Sequence, residues 1–198
     1  MPDILLSKIM ALLQKNCNRL IAWADKRHYN PVRRYTQMAN EDKKDFNAML
    51  HDNKDMPKLQ LITDPKSIAK YGGNKMYFAP PIDYDKVMKL VPCGKVITIG
   101  SIREYFAELN HADFTEPITA GIFVSIAAWA SYQRSNGETP FWRTLKADGE
   151  LNAKYPGGVE FQKEKLEAEG HTIIRKGRTN LKYYVKDYEN VLYRLKNI

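Results

Sequence analysis

Residues 117–132 constrain the fold most strongly, because a proline opens the stretch and apolar or small residues follow it at helical spacing. Proline is favoured in the first turn of a helix, where its missing N–H costs nothing. Large apolar side chains share one side, which we assign to the core: Ile118, Ile122, Ile126 and Trp129. Another side carries Gly121, Ser125, Ala128 and Tyr132. This smooth side allows close approach to another surface, and a neighbouring helix is one candidate.

A second helix is predicted just before this one. Ser101-Ile102-Arg103-Glu104 has the form of a capping box, so we expect a helix from Ser101 to about Leu109. Residues 110–116 are polar and turn-like, and Thr115 and Pro117 precede the longer helix. The two helices and their connection therefore predict a helix-turn-helix.

The end of the chain predicts a β-hairpin with a basic turn. Residues 172–174 and 181–185 are strand-like, and the turn 175–180 between them holds Arg175, Lys176 and Arg178. These cations either reach phosphates from the wing of a winged helix or form a solvated turn. Asp187 is placed to cap a final short helix.

The first half of the chain predicts short elements. Residues 5–24 have the apolar stripe of an amphipathic helix, and residues 26–34 form a basic cluster that is either a solvated loop or a phosphate contact. The following predictions are a helix capped by Asn40 and ending at Leu50, a strand at 59–62, a helix opened by Asp64-Pro65 and closed by Gly72-Gly73, a strand at 76–79, and a helix capped by Asp83.

Composition limits the possible classes of protein. With 198 residues and 43% hydrophobic residues the chain can bury a real core. Its net charge of +8 favours a polyanionic partner, although many basic proteins bind nothing acidic. Two cysteines, Cys17 and Cys93, are too few for a disulfide framework and lack zinc-site spacing. With no signal-peptide or membrane-spanning pattern in the sequence, we expect a cytoplasmic, intracellular protein.

The segments on either side of Pro140-Phe141-Trp142-Arg143 resemble a known family. Tyr155-Pro156-Gly157-Gly158 and Glu169-Gly170-His171 are similar to the Tyr-x-Gly-Gly and Glu-Gly-His motifs of the alkylguanine-DNA alkyltransferases, at matching separation. Pro92-Cys93-Gly94-Lys95-Val96 resembles the Pro-x-Gly-x-Val turn of that family. The resemblance covers about residues 76–174 and includes the alkyltransferase-like relatives that lack the acceptor cysteine.

The resemblance implies a mostly α fold with small β elements. Residues 76–175 would form a winged helix-turn-helix-like alkyltransferase C-terminal domain. A helical N-terminal extension of unknown role, residues 1–75, would precede it and is a candidate protein-binding segment. A basic hairpin and helix tail, residues 176–198, would follow.

The resemblance also implies double-stranded DNA as partner, including alkylated duplex, with a role in DNA repair. The longer helix would enter the minor groove, and the DNA-binding residues would be Thr119, Gly121, Ser125, Ala128, Arg175, Lys176 and Arg178. A pocket for a flipped alkylated guanine would be formed by Phe141, Trp142, Arg143, Tyr155, Gly157, Gly158 and Glu169. Glu169 corresponds to a glutamate that activates the cysteine through a histidine in active members.

Departures from the family pattern affect catalysis. Phe141 replaces the acceptor cysteine and cannot take an alkyl group. Trp142 replaces the relay histidine and can only donate a hydrogen bond. Ile99 stands where the family has the tyrosine that turns the nucleotide out, and no arginine lies near Gly121 to fill the stack. Base flipping is thereby called into question.

We therefore expect no catalytic residue, no metal ligand and no cofactor, and a non-enzymatic DNA-binding protein. Phe141 either stacks on a flipped base or fills the old pocket as core. One alternative is an active alkyltransferase that uses Cys93 as a relocated acceptor. Another is a protein-interaction module that kept the fold.

Overall fold

The computed structural model describes residues 43–134 and 137–195. Helices alternate with short strands in these ranges, which confirms the expected mostly helical class with small β elements. The helices and strands are α1 (Phe46–His51), β1 (Lys58–Leu61), α2 (Pro65–Tyr71), β2 (Lys75–Phe78), α3 (Pro81–Lys89), β3 (Ile97–Thr98), α4 (Ile99–Leu109), β4 (Phe114–Thr115), α5 (Pro117–Gln133), β5 (Thr144–Leu145), α6 (Gly158–Ala168), β6 (Ile173–Lys176) and β7 (Lys182–Val185). Short 3-10 helices occur at Phe141–Arg143 and Tyr188–Val191. The amphipathic pattern at 5–24, the basic cluster at 26–34 and Asn40 lie outside the described residues.

Local capping explains where most helices begin. Asp64 caps α2 by accepting from the Ser67 N–H at 2.9 Å, as the Asp-Pro pair predicts. Three predicted starts were wrong by a few residues. The helix that was expected to begin after residue 40 begins at Phe46 with Asp45 as its cap, and α3 begins at Pro81, ahead of Asp83.

The start of α4 is the third of these differences. Thr98 caps this helix, because its hydroxyl accepts from the Ser101 N–H at 3.0 Å. The helix therefore begins at Ile99, and the predicted capping box at Ser101 lies one turn inside it. Thr98 and Ser101 are both residue types favoured at an N-cap. Strand β3 ends at Thr98, and the helix starts directly after it.

Helices α4 and α5 form the predicted helix-turn-helix. Reciprocal bonds hold the connection: Arg103 Nε donates to the Thr115 carbonyl at 3.1 Å, and Thr115 Oγ1 donates to the Arg103 carbonyl at 2.8 Å. Glu116 caps α5 by accepting from the N–H groups of Ile118 and Thr119 at 3.1 and 2.5 Å. The angle at which α5 leaves the turn is therefore held on both sides of the connection.

Three small sheets join the helices within the part of the chain that the structure describes. β1 pairs antiparallel with β2, β2 pairs parallel with β4, and β3 pairs parallel with β5. Strands β6 and β7 form the antiparallel hairpin predicted from the sequence. With the helix-turn-helix, this hairpin completes a winged helix-turn-helix arrangement.

The hairpin is attached to the rest of the fold. Leu151 N–H donates to the Tyr183 carbonyl at 2.9 Å, and Val185 N–H donates to the Gly149 carbonyl at 3.1 Å. Expected boundaries at 75/76 and 175/176 fall inside β2 and β6. Each boundary would therefore cut through a strand rather than a linker.

The core is built around α5. The Phe46 ring of α1 stacks on Trp129 with centroids 5.5 Å apart, so residues before 75 pack on the same core. The side of α5 turned most fully inward is Ala120, Val124, Ala127 and Ser131. These small side chains recur at helical spacing and permit close packing.

Within the described ranges, none of the helices combines the length and the apolar character needed to cross a membrane.

Candidate nucleic-acid interface

The first half of α5 presents an exposed face, which we call the α5 face and define as Ile118, Gly121, Ile122 and Ser125. Ile118 is 72% exposed and Ile122 is 49% exposed, so their assignment to the core was wrong. A Cβ added to Gly121 would meet nothing within 4 Å. The isoleucines and the small residues of the α5 face therefore share one surface, whereas the sequence spacing had assigned them to two different sides of the helix.

The second half of α5 is covered. Ala128 has 0% exposure, so it does not face outward with Gly121 and Ser125, and its expected place in a DNA interface was wrong. The physical reason is that α1 packs across this end of the helix through the Phe46–Trp129 stack. Thr119 is half-buried, and its N–H is held by Glu116.

The hairpin carries exposed cations. Arg175, Lys176 and Arg178 are all exposed, and no ion pair engages any of them in the ranges the structure covers. Lys176 Nζ lies 4.8 Å from the centroid of the Tyr184 ring, a cation–π distance that leaves the ammonium at the surface. We call these three residues the hairpin cations.

Lys182 differs from the hairpin cations. Its Nζ donates to Glu150 Oε2 at 2.8 Å, while Lys146 Nζ donates to Glu150 Oε1 at 2.5 Å. Burial alone would raise the pKa of Glu150, but the two lysine hydrogen bonds outweigh it and hold that pKa below its ordinary range. One buried carboxylate thus neutralises part of the charge at the base of the hairpin.

The segment expected to form a base pocket is filled by its own side chains. Phe141 is 3% exposed, and its ring contacts Trp142, Tyr155 and Phe161 at centroid distances of 5.6, 5.7 and 5.9 Å. We call these four residues the aromatic cluster. Phe161 stacks on Phe141 at an interplanar angle of 18° and was missed by the sequence reasoning.

Gly157 makes this packing possible. Its φ of 73° lies in the left-handed region, and an added Cβ would sit 2.5 Å from the Cβ of Phe161. Gly158 follows with a φ of 63° as the first residue of α6. The double glycine therefore lets Phe161 close over Phe141.

Glu169 ties the cluster to the loop before β3. Its side chain is fully buried and accepts from Trp142 Nε1 at 2.6 Å, from Arg143 Nε at 2.9 Å and from the Gly94 N–H at 3.2 Å. The Arg143 side chain, also buried, donates from Nη1 to the Val91 carbonyl at 2.7 Å. Both charges have partners, so the ion pair acts as a structural link.

Gln162 is a buried polar residue that the sequence reasoning did not find. Its Oε1 accepts from the Asn152 N–H at 2.6 Å, and its Nε2 donates to the carbonyls of Trp142 and Thr144 at 2.9 and 3.2 Å. The one signal was its spacing of four residues from the buried Leu166 on α6. Gln162 thus holds the backbone on both sides of Arg143.

The remaining titratable candidates are Cys93 and His171. Cys93 is half-buried in the turn before β3 and takes part in a disulfide bond. His171 is buried, and its Nε2 has no hydrogen-bond partner. Burial lowers the pKa of His171, with nearby Glu169 acting in the opposite direction.

Among the described residues, no group of three or more His, Cys, Asp or Glu side chains is placed to hold a metal ion.

The folded chain is a winged helix-turn-helix protein with a basic hairpin and a second helix that is exposed on one side of its first two turns. No protein-family model and no curated protein matches the chain. Two solved structures are similar to it, both of the S. pombe alkyltransferase-like protein Atl1: one in complex with damaged DNA containing O6-carboxymethylguanine, the other in complex with DNA. They are 17% and 19% identical, and each match covers 58% of this chain and 94% of the other at a TM-score of 0.42. Similarity at this level supports no functional inference, so function has to be argued from the side chains of this chain.

Proposed function

We propose that this protein binds double-stranded DNA without catalysing a reaction on it. The hairpin cations carry the proposal. Arg175 and Lys176 lie at the outer end of β6 and Arg178 lies in the turn of the wing; all three are exposed and form no ion pair among the described residues, which places them to contact phosphates. The helix-turn-helix supports it, because the second helix of such a motif is the element that meets a groove. Here that helix has an uncovered face at its first two turns.

The DNA partner need not be alkylated. A turned-out guanine requires a cavity, and the aromatic cluster occupies the expected place with rings that contact one another. Trp142 stands in place of the relay histidine and only donates, here to Glu169, so the relay of the resembling family lacks its base. We therefore place DNA binding on the α5 face and the hairpin, and assign the aromatic cluster to the core.

A protein partner at the α5 face is the second candidate. The observation that favours it is the exposure of two isoleucines next to each other on a helix with no charged residue. Exposed apolar patches frequently mark protein interfaces. The hairpin cations have no evident role in this alternative, which makes them the residues to test first.

A titration of labelled duplex DNA at several salt concentrations tests the proposal. Replacing Arg175, Lys176 and Arg178 by alanine is expected to flatten the slope of log K against log salt by about three units, at roughly 0.9 per phosphate contact. The matched control replaces the exposed Lys43, Lys54 and Lys66 by alanine. It removes the same net charge at positions far from the hairpin in the sequence. An equal change of slope in both variants, or no binding by the wild type, would contradict the proposal.

A further inference from the structure

The α5 face offers almost no hydrogen-bonding groups to a ligand. Its two largest exposed side chains are Ile118 and Ile122, and the Ser125 hydroxyl donates back to the Gly121 carbonyl at 3.1 Å. Direct base reading uses arginine, lysine, asparagine, glutamine or acidic side chains on base edges. Residues 117–132 contain none of these, and of the serines, which also contact bases, Ser125 is bonded to Gly121 and Ser131 is buried, which leaves the half-buried Thr119 hydroxyl. The helix therefore has little capacity to read sequence by hydrogen bonds.

The N-terminus of α5 is also closed to phosphate. The Glu116 carboxylate already accepts from the N–H groups of Ile118 and Thr119 and places a negative charge there. An anionic ligand would have to displace this cap against charge repulsion. What remains for contact is an aliphatic surface.

This surface has the shape of a short ridge. Ile118 and Ile122 lie one turn apart, and Gly121 beside them leaves open space where other residues carry a side chain. Isoleucine is stiff at χ1, so such a ridge is ordered before it meets a ligand. Stiff apolar side chains in this position are suited to insertion between base pairs, where they partly unstack a step and kink the duplex.

We propose that Ile118, supported by Ile122, is an aliphatic wedge that inserts at a base step, so that the preferred ligand is a duplex with a weakly stacked step. The inference rests on the proposed DNA binding and names the class of duplex. Unstacking a step costs a few kcal/mol, and this cost is smallest where pairing or stacking is already weak. A mismatched or flexible pyrimidine–purine step therefore binds better than a stiff A-tract.

The test uses the full chain and two duplexes of equal length, one fully paired and A-tract-rich, one with a central mismatch flanked by 2-aminopurine. Wild-type protein is expected to prefer the mismatched duplex about tenfold and to raise the 2-aminopurine fluorescence, as the base leaves its stack. Ile118→Ser is expected to lose both effects while the salt slope stays as in the wild type. Ile118→Leu keeps an apolar side chain of the same size and retains both.

A matched control separates the wedge from general loss of apolar surface. Leu61 on β1 is 65% exposed, a fraction similar to the 72% of Ile118. Leu61→Ser is expected to leave the duplex preference and the 2-aminopurine fluorescence as in the wild type. If the wild type binds both duplexes equally with no fluorescence change, the wedge is wrong while DNA binding stands. If it binds neither duplex, the proposed function itself fails. Equal losses for Ile118→Ser and Leu61→Ser would also overturn the wedge.

Discussion

The aromatic cluster and the α5 face are two of the regions where the resemblance to alkyltransferases predicted contact with DNA, and they have opposite environments. Phe141 is enclosed by three aromatic rings, whereas Ile118 on α5 is largely in solvent. A large apolar side chain in a motif can therefore be core at one position and surface at another. The enclosed Phe141 ring contributes to the stability of the fold, and the exposed Ile118 side chain is available to a partner.

The sharpest way to break this comparison is to remove the two side chains in turn. Phe141→Ala is expected to cost about 3–5 kcal/mol of unfolding free energy, because it leaves a cavity among packed rings. Ile118→Ala is expected to cost under about 0.5 kcal/mol, since the side chain is exposed. Urea unfolding of both variants measures the difference. A stable Phe141→Ala variant that loses a preference for alkylated duplex would instead make the ring part of a ligand site.

The same contrast exists within α5. Ala128→Leu is expected to destabilise the protein by about 1–3 kcal/mol, because the added atoms have no space at a fully buried position. Gly121→Ala is expected to stabilise it by up to about 1 kcal/mol, since the new methyl group enters open space in a helix. Thermal unfolding of the two variants compares them. A destabilised Gly121→Ala would show that the α5 face is covered.

Acid is expected to lower the free energy of unfolding through protonation of Asp85. Burial alone would raise the pKa of Asp85, but hydrogen bonds from Arg134, Lys89 and Thr139 outweigh it and lower that pKa. A carboxyl with a lowered folded-state pKa contributes stability that is present above its unfolded pKa of about 3.9 and is lost as pH falls through the folded value.

The corresponding variant is Asp85→Asn. It is expected to cost about 1–3 kcal/mol at neutral pH, because Arg134 and Lys89 lose their charged acceptor near the loop that leads to Phe141. The gap between wild type and variant should shrink below about pH 4, measured by urea unfolding across pH. A gap independent of pH would exclude titration of Asp85 as its source.

The smallest expected effect is no change in mass. After incubation with methylated duplex DNA under reducing conditions, the intact protein should carry no added methyl group, because Phe141 offers no nucleophile. Reduction is included so that Cys93 is tested as a thiol. A stoichiometric methyl group mapping to Cys93, and absent in Cys93→Ser, would establish the enzymatic alternative.

Several elements were predicted from the sequence because their causes are local. Asp64-Pro65 and Gly72 bound α2 through a cap and a left-handed glycine, and the hairpin follows from two strand-like runs around a basic turn. The helix-turn-helix was also predicted, apart from the first residue of α4. In each case the deciding hydrogen bonds join residues no more than 12 positions apart.

Burial was decided by the tertiary structure. The spacing in α5 shows that the helix has distinct sides, but packing decides which side is buried. Ala120 and Val124 face inward and Ile118 and Ile122 do not, and in this half of the helix α3 packs on α5 through the Tyr84–Phe123 ring contact. The same holds for the aromatic cluster, where Phe161 from α6 closes over Phe141 twenty residues away. A residue type sets what a side chain gains from burial, and neighbours distant in the sequence determine whether it is buried.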